Sequence, residues 1–155
     1  MGIKGIDRAI IVTSLAGILV SMYALYVEMA AEARHDYKAL CDLSEHASCT
    51  RVLTSEFSKG FGFSSEDSSF YIPNCVYGIV FYCTIIFMTT FEHAAIIRLQ
   101  LLLCLGSIIA SLYLAYLLLF VLLDFCVVCV STYVINGMLV FFVNKKKNVL
   151  SHKIK

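Results

Sequence analysis

Leu117-Leu118-Leu119-Phe120-Val121-Leu122-Leu123-Asp124-Phe125-Cys126-Val127-Val128-Cys129 joins two long apolar stretches through a single carboxylate, Asp124. One stretch runs from about Ile96 to Leu123 and the other from about Phe125 to Val143. A spanning helix needs about 20 mostly apolar residues, so both are long enough to cross a bilayer, and the first is long enough to tilt. The acid between them predicts a tight turn at a membrane surface. Two further apolar stretches lie upstream, from about Ala9 to Val27 and from about Cys75 to Phe91, the latter near the short limit. The expectation is an all-α membrane protein, a four-transmembrane-helix bundle forming one domain over residues 1–155, with a cap made by the loop from about Glu28 to Pro73.

Composition agrees with an embedded chain. Of 155 residues, 60% are hydrophobic and 15% charged, against about 45–50% and about 25% in ordinary globular domains. The net charge of +1 leaves no basic face for nucleic acid. The first stretch reads as a span rather than a cleaved signal. It is long for the apolar core of a signal, and Ala30-Ala31-Glu32-Ala33 is the nearest approach to a cleavage site.

Lys/Arg asymmetry sets the orientation. The N-terminus (Lys4, Arg8), the second-to-third connection (Arg98) and the tail (Lys145, Lys146, Lys147, Lys153, Lys155) hold eight of the twelve basic residues. Both termini are therefore predicted to be cytosolic. The 28–73 loop and the Asp124 turn are predicted to be lumenal, and they carry nine of the eleven acidic residues.

That topology sorts the seven cysteines. Cys41, Cys49, Cys75, Cys126 and Cys129 fall on the oxidising side, where disulfides persist. Cys83 and Cys104 fall inside spans and read as small buried hydrophobes. Cys126-Val127-Val128-Cys129 is a C-x-x-C at a helix start, with both sulfurs on one face a turn apart. A thiolate near a helix N-terminus is stabilised, which suits a redox pair. A zinc site would need two more ligands. Cys41, His46 and Cys49 have suitable chemistry, but a zinc ribbon half-inside a membrane is a poor fit, so no metal is expected. With Cys41 and Cys49 as a second lumenal pair, the pattern suggests a relay in which one pair does the chemistry and the other passes electrons in from a soluble partner.

In the loop, Ser48 is placed to cap a short helix from Cys49 to about Phe57. Lys59-Gly60-Phe61-Gly62-Phe63 breaks it. Phe61, Phe63, Phe70, Tyr71 and Ile72 cluster as a lid near the second span. Two polar groups at the lumenal edge invite a role. Tyr133 shares a helix face with Cys129, one turn on. Asn74 opens the second span, where it either caps the helix or faces a cavity. A phenol and an amide both donate hydrogen bonds to carbonyl oxygens, which is what a quinone requires.

The chain resembles the vitamin K epoxide reductase family over nearly its whole length. The resemblance rests on Ser21-Met22-Tyr23-Ala24-Leu25-Tyr26-Val27, Ala39-Leu40-Cys41-Asp42, Ser48-Cys49-Thr50-Arg51-Val52, Gly60-Phe61-Gly62, Asn74 with Tyr77-Gly78, and Asp124-Phe125-Cys126-Val127-Val128-Cys129-Val130-Ser131-Thr132-Tyr133. It implies a four-helix bundle in the endoplasmic reticulum membrane that reduces vitamin K epoxide and quinone. No tightly bound cofactor is implied, since the quinone is substrate. Cys129 matches the cysteine nearest the quinone, Cys126 its resolving partner, and Cys41 and Cys49 the loop shuttle pair. Asn74 and Tyr133 match residues that hydrogen-bond the quinone carbonyls. Phe81 looks like the apolar wall, and Leu53 stands where some relatives have phenylalanine. A lumenal thioredoxin-like reductant and coumarin-type inhibitors are implied as partners. Two positions depart from the family: Cys75 stands where vertebrate members have serine, and Thr132-Tyr133-Val134 replaces Thr-Tyr-Ala.

Two other readings compete. Run in reverse, the relay would be a quinone-dependent oxidase generating disulfides in lumenal partners. A four-span scaffold such as a tetraspanin or claudin would carry a Cys-Cys-Gly motif or a Trp-containing first loop, and neither is present.

Overall fold

A computed structural model describes residues 2–34, 36–42, 48–60 and 72–154. Helices α1 (Ile3–Ala33), α2 (Cys49–Leu53), α3 (Asn74–Thr89), α4 (Ala94–Tyr116) and α5 (Val127–Ile154) follow in order. A 3₁₀ turn at Glu56–Ser58 lies between α2 and α3, and a wider π-helical turn at Leu117–Leu122 continues α4. Among the described residues there is no strand, only a bridge between Lys59 and Pro73. The expected lid residues Phe61, Phe63, Phe70 and Tyr71 lie outside the described residues, as does His46.

Among the described residues, three helical segments are long and apolar enough to cross a membrane: α1, α4 with its π turn, and α5. The fourth apolar stretch forms α3, whose 16 residues are shorter than that. Outward-facing side chains on α4 include Leu102, Ile109 and Leu112, so this helix is apolar all round, as an exposed helix in water is not.

Small residues decide how closely α1 and α3 approach. Ser14, Gly17, Ser21 and Ala24 form a buried stripe on α1 at helical spacing. Such stripes let backbones come close where apolar burial offers little gain. A β-carbon on Gly17 would lie 2.5 Å from the Tyr82 ring, and one on Gly78 would lie 3.0 Å from Ser21 Oγ. The Tyr82 ring cannot swing away cheaply, because its hydroxyl donates to Asn136 Oδ1 at 2.9 Å. Asn136 in turn donates to Ser111 Oγ at 2.9 Å, so one buried chain of hydrogen bonds joins α3, α5 and α4.

A second polar tie closes the opposite end. Lys146 is buried, 2.7 Å from Asp7 Oδ1 on α1. It donates to the Thr89 carbonyl at 2.9 Å. Gln100 of α4 donates to Thr89 Oγ1 at 2.8 Å. A charge this deep survives only when paired, so Lys146 belongs to the bundle rather than to a solvated tail.

Two expectations are corrected here. The loop helix ends at Leu53, not near Phe57. Thr54 Oγ1 donates to the Thr50 carbonyl at 2.8 Å and Ser55 Oγ to the Val52 carbonyl at 2.7 Å. Such side chains compete with the next helical turn. Cys83 is exposed rather than buried, because the inward face of α3 is set by Tyr82, Ile85, Met88 and Thr89. Cys104 is buried.

Asp42 organises the short loop around Cys41. Its carboxylate accepts from the Ala39 amide at 3.0 Å, the Ser48 hydroxyl at 2.9 Å, the Thr50 amide at 3.0 Å and the Thr50 hydroxyl at 2.6 Å. Burial alone would push this carboxyl up, but the bonds from Thr50, Ser48 and Ala39 outweigh it and hold the carboxyl below its ordinary value. Ser48 also caps α2, its Oγ accepting from the Arg51 amide at 3.2 Å.

Gly17→Ala is expected to destabilise the protein by about 1–3 kcal/mol, read as a lowered Tm in detergent; an unchanged Tm would mean that α1 and α3 separate without cost. The lowered Asp42 value means its contribution is complete at neutral pH and fades as pH falls through that value. Protection of the Thr50 amide against hydrogen exchange, corrected for intrinsic rate, should therefore persist down to about pH 4 and disappear below it. Loss at a higher pH would show that the four bonds do not stabilise the charge.

Candidate active site

The π turn ends at Leu123, whose φ of 51° is left-handed, and the Asp124 amide donates back to the Leu118 carbonyl at 3.3 Å. That reversal delivers Cys126 to the N-cap position of α5. The Cys126 carbonyl accepts from the Val130 amide at 3.0 Å. Its sulfur accepts from the Cys129 amide at 3.3 Å, the place a serine oxygen takes in an ordinary cap. Sulfur and dipole together make this a favourable site for negative charge. The Cys126 and Cys129 sulfurs are 2.8 Å apart. Cys126 is fully buried, whereas Cys129 is only partly so.

Cys129 opens onto a cavity of about 360 Å³ between α1, α3, α4 and α5, roofed by α2 and the 3₁₀ turn. Tyr133, Asn74, Phe81 and Leu53 all line the same cavity. Cys126 does not, so of the C-x-x-C pair only Cys129 faces the space a ligand would fill. Asn74 is the first residue of α3, with Pro73 at the cap position, so it does not cap the helix. Its amide nitrogen donates to the Phe57 carbonyl at 2.7 Å, which fixes the side chain against the roof.

Cys41 and Cys49 are joined by a disulfide. Cys49 is buried in the same apolar cluster as Cys126, and Cys41, Cys75 and Cys129 pack against it. All four expected redox cysteines thus sit at one end of the bundle. Among the described residues, no group of three His, Cys, Asp or Glu is placed to hold a metal.

Several features are not marked in the sequence. Glu28 is buried and lines the cavity, with Cys75 3.7 Å away. Asn136 also lines it and holds Tyr82. Arg51 and Asp124 form an ion pair at 3.2 Å that ties α2 to the turn before Cys126. Their 73-residue separation leaves no local trace. Only the oddity of a lone acid between two apolar stretches marks Asp124.

Comparison with known proteins bears on what this arrangement does. The family model for the Vitamin K epoxide reductase family matches residues 8–144. The rat protein named Vitamin K epoxide reductase complex subunit 1 is 39% identical over 145 residues, covering 91% of this chain and 89% of the relative. The mouse protein of the same name is 38% identical over the same shares. A match of that extent leaves little of the chain unaccounted for: it belongs to the vitamin K epoxide reductase family, and its role is that of an oxidoreductase.

Proposed function

We propose that this chain reduces vitamin K epoxide and vitamin K quinone with electrons that enter at Cys41/Cys49 and leave through Cys126/Cys129. The observation that carries the reading is the cavity in which Cys129 meets Tyr133, Asn74 and an apolar wall including Phe81 and Leu53. A naphthoquinone with a lipid tail asks for those features: an apolar slot, hydrogen-bond donors for two oxygens and one accessible sulfur.

In the mechanism, the Cys129 thiolate bonds to a ring carbon. Tyr133 and Asn74 stabilise the charge that develops on oxygen. Cys126 then bonds to Cys129, and the ring keeps the electron pair of the broken C–S bond. From the epoxide, the oxygen leaves as water and the quinone remains; from the quinone, the product is the hydroquinone. Either way two thiols become the Cys126–Cys129 disulfide. Cys49 exchanges with Cys126, Cys41 with Cys49, and a lumenal thioredoxin-like protein reduces the Cys41–Cys49 pair. Cys49 and Cys126 sharing one buried cluster supports that order.

The same reading has one domain over residues 1–155 that spans the endoplasmic reticulum membrane four times. Both termini are cytosolic, and residues 28–73 form the lumenal cap. At 16 residues, α3 can serve as the fourth span if the bilayer thins locally or flanking residues reach out to the interface. Coumarin-type inhibitors would occupy the same cavity.

Purified protein in detergent should convert vitamin K epoxide when supplied with a small dithiol, and Cys129→Ala should abolish that conversion with every reductant. Cys41→Ala should spare turnover driven by the small dithiol and lose turnover driven by a thioredoxin-like protein. Equal loss in both assays would sink the relay. Tyr133→Phe removes one donor and should lower kcat/KM by roughly ten- to a hundredfold, about 1.4–2.7 kcal/mol of transition-state stabilisation. An unchanged value would remove the phenol from the mechanism.

A further inference from the structure

The proposed reaction leaves one need unmet. Opening an epoxide turns its oxygen into an alkoxide, and a poor leaving group of that kind calls for a positioned acid. Tyr133 and Asn74 serve in that reaction as hydrogen-bond donors to oxygen, and a carboxylic acid is a stronger proton donor than a phenol or an amide.

Glu28 fits the need on three counts. It is 2% exposed and lines the cavity that Cys129, Asn74 and Tyr133 also line. Its Oε2 accepts from the Cys75 thiol at 3.7 Å, while its Oε1 accepts no hydrogen bond. Cys75 and Asn74 both belong to the first turn of α3, so the carboxyl contacts the same turn that carries Asn74 into the cavity. Three titratable groups face it: Cys75 on α3, Glu32 one turn along its own helix, and Lys59 beside the roof. Lys59 is ion-paired with Glu32 at 2.6 Å, so it is shared rather than dedicated to Glu28. A buried carboxyl without a dedicated cation is favoured as the neutral acid, the form able to give a proton.

We propose that Glu28 donates a proton to the epoxide oxygen as Cys129 opens the ring, an inference that rests on reading this cavity as the epoxide and quinone site. Cys129 Sγ bonds to the ring carbon, the C–O bond breaks, and the oxygen takes the Glu28 proton to become a hydroxyl. Cys126 Sγ then bonds to Cys129 Sγ and the C–S bond breaks. The freed electron pair forms the ring double bond and expels the hydroxyl. The Cys126 thiol proton completes the water, and the proton released by Cys129 restores Glu28. Two electrons pass from two thiols to the epoxide, and Glu28 ends as it began.

The test compares two substrates on one enzyme, driven by the small dithiol. Glu28→Gln keeps the shape and cannot transfer a proton, so its epoxide kcat should fall about a hundredfold. Quinone reduction breaks no C–O bond and should fall by no more than about threefold. The decline of wild-type epoxide turnover with rising pH, as Glu28 loses its proton, should vanish in this variant. Glu28→Asp sets an acid back by one methylene: its ratio of epoxide to quinone rates should fall about tenfold, with the alkaline decline retained. That second variant decides the matter if the glutamine variant does not fold. Equal losses on both substrates, or no loss on either, would overturn proton donation by Glu28. Wild-type protein that converts neither substrate would overturn the reading of the cavity itself, and Glu28's role with it.

Discussion

Asp124 is a carboxylate whose side chain is 1% exposed, met by the guanidinium of Arg51. A charge so placed is strongly destabilising unless paired, so the turn between α4 and α5 can form as it does only with α2 docked against it. That single pairing fixes much else. Arg51 is two residues from Cys49, and Asp124 is two residues before Cys126. Holding one pair of residues together therefore holds the sulfurs of Cys49 and Cys126 in one buried cluster. The same docking places Leu53 and the 3₁₀ turn over the cavity. The roof carbonyl of Phe57 then receives Asn74. An electrostatic constraint at the end of a hairpin thus propagates into the shape of the ligand space.

How much of this is legible in the sequence depends on distance along the chain. The C-x-x-C, its helix start, the shared face of Cys129 and Tyr133 and the Ser48 cap are local, and helical spacing reveals them. The hairpin at Asp124 is local too, since a lone acid between two apolar stretches is far cheaper to place at a membrane surface than inside the bilayer. The end of α2 escapes such a reading because Thr54 and Ser55 bond back to carbonyls at close range, a competition that an apolar pattern does not record. The exposure of Cys83 escapes it because an all-apolar stretch carries no signal of which face turns inward. Gly17, Gly78 and Tyr82 decide that face on α3, and they do so by contact. Asn74 reads only as an ambiguous helix opener until a family resemblance gives it weight. Its bond to Phe57 spans 17 residues and leaves no mark in the spacing.

Glu28 is the clearest case of information hidden by position. In sequence it begins a run of good helix formers with Glu32 and Arg34 nearby, and such a run usually faces water. The helix continues past the apolar stretch to Ala33, as that run of helix formers predicts. This keeps position 28 on the stripe that begins at Ser14 and Gly17, turned toward α3. Cys75 lies opposite, in the place where the family resemblance implies serine. The two departures from an ordinary surface helix and an ordinary family residue therefore meet each other.

The bundle is tied unevenly along its length, and this bears on how a relay could work. Lys146, Asp7, Thr89 and Gln100 lock one end, and Tyr82, Asn136 and Ser111 lock the middle. Breaking either would strand buried polar groups, which costs more than the bonds themselves contribute. At the redox end the ties are of two kinds. The Cys41 segment is held by hydrogen bonds to Asp42 that water can replace, whereas α2 is held by Arg51 against the buried Asp124 carboxylate, a pairing whose loss would strand that charge. Disulfide exchange demands that sulfurs change partners, so something must move between one exchange and the next. With the scaffold fixed at two levels and α2 held at Asp124, the motion that such an exchange requires falls to the segment around Cys41. On the proposed relay, Cys41 is then the sulfur that moves, while α2, Cys129 and the cavity between them keep their places.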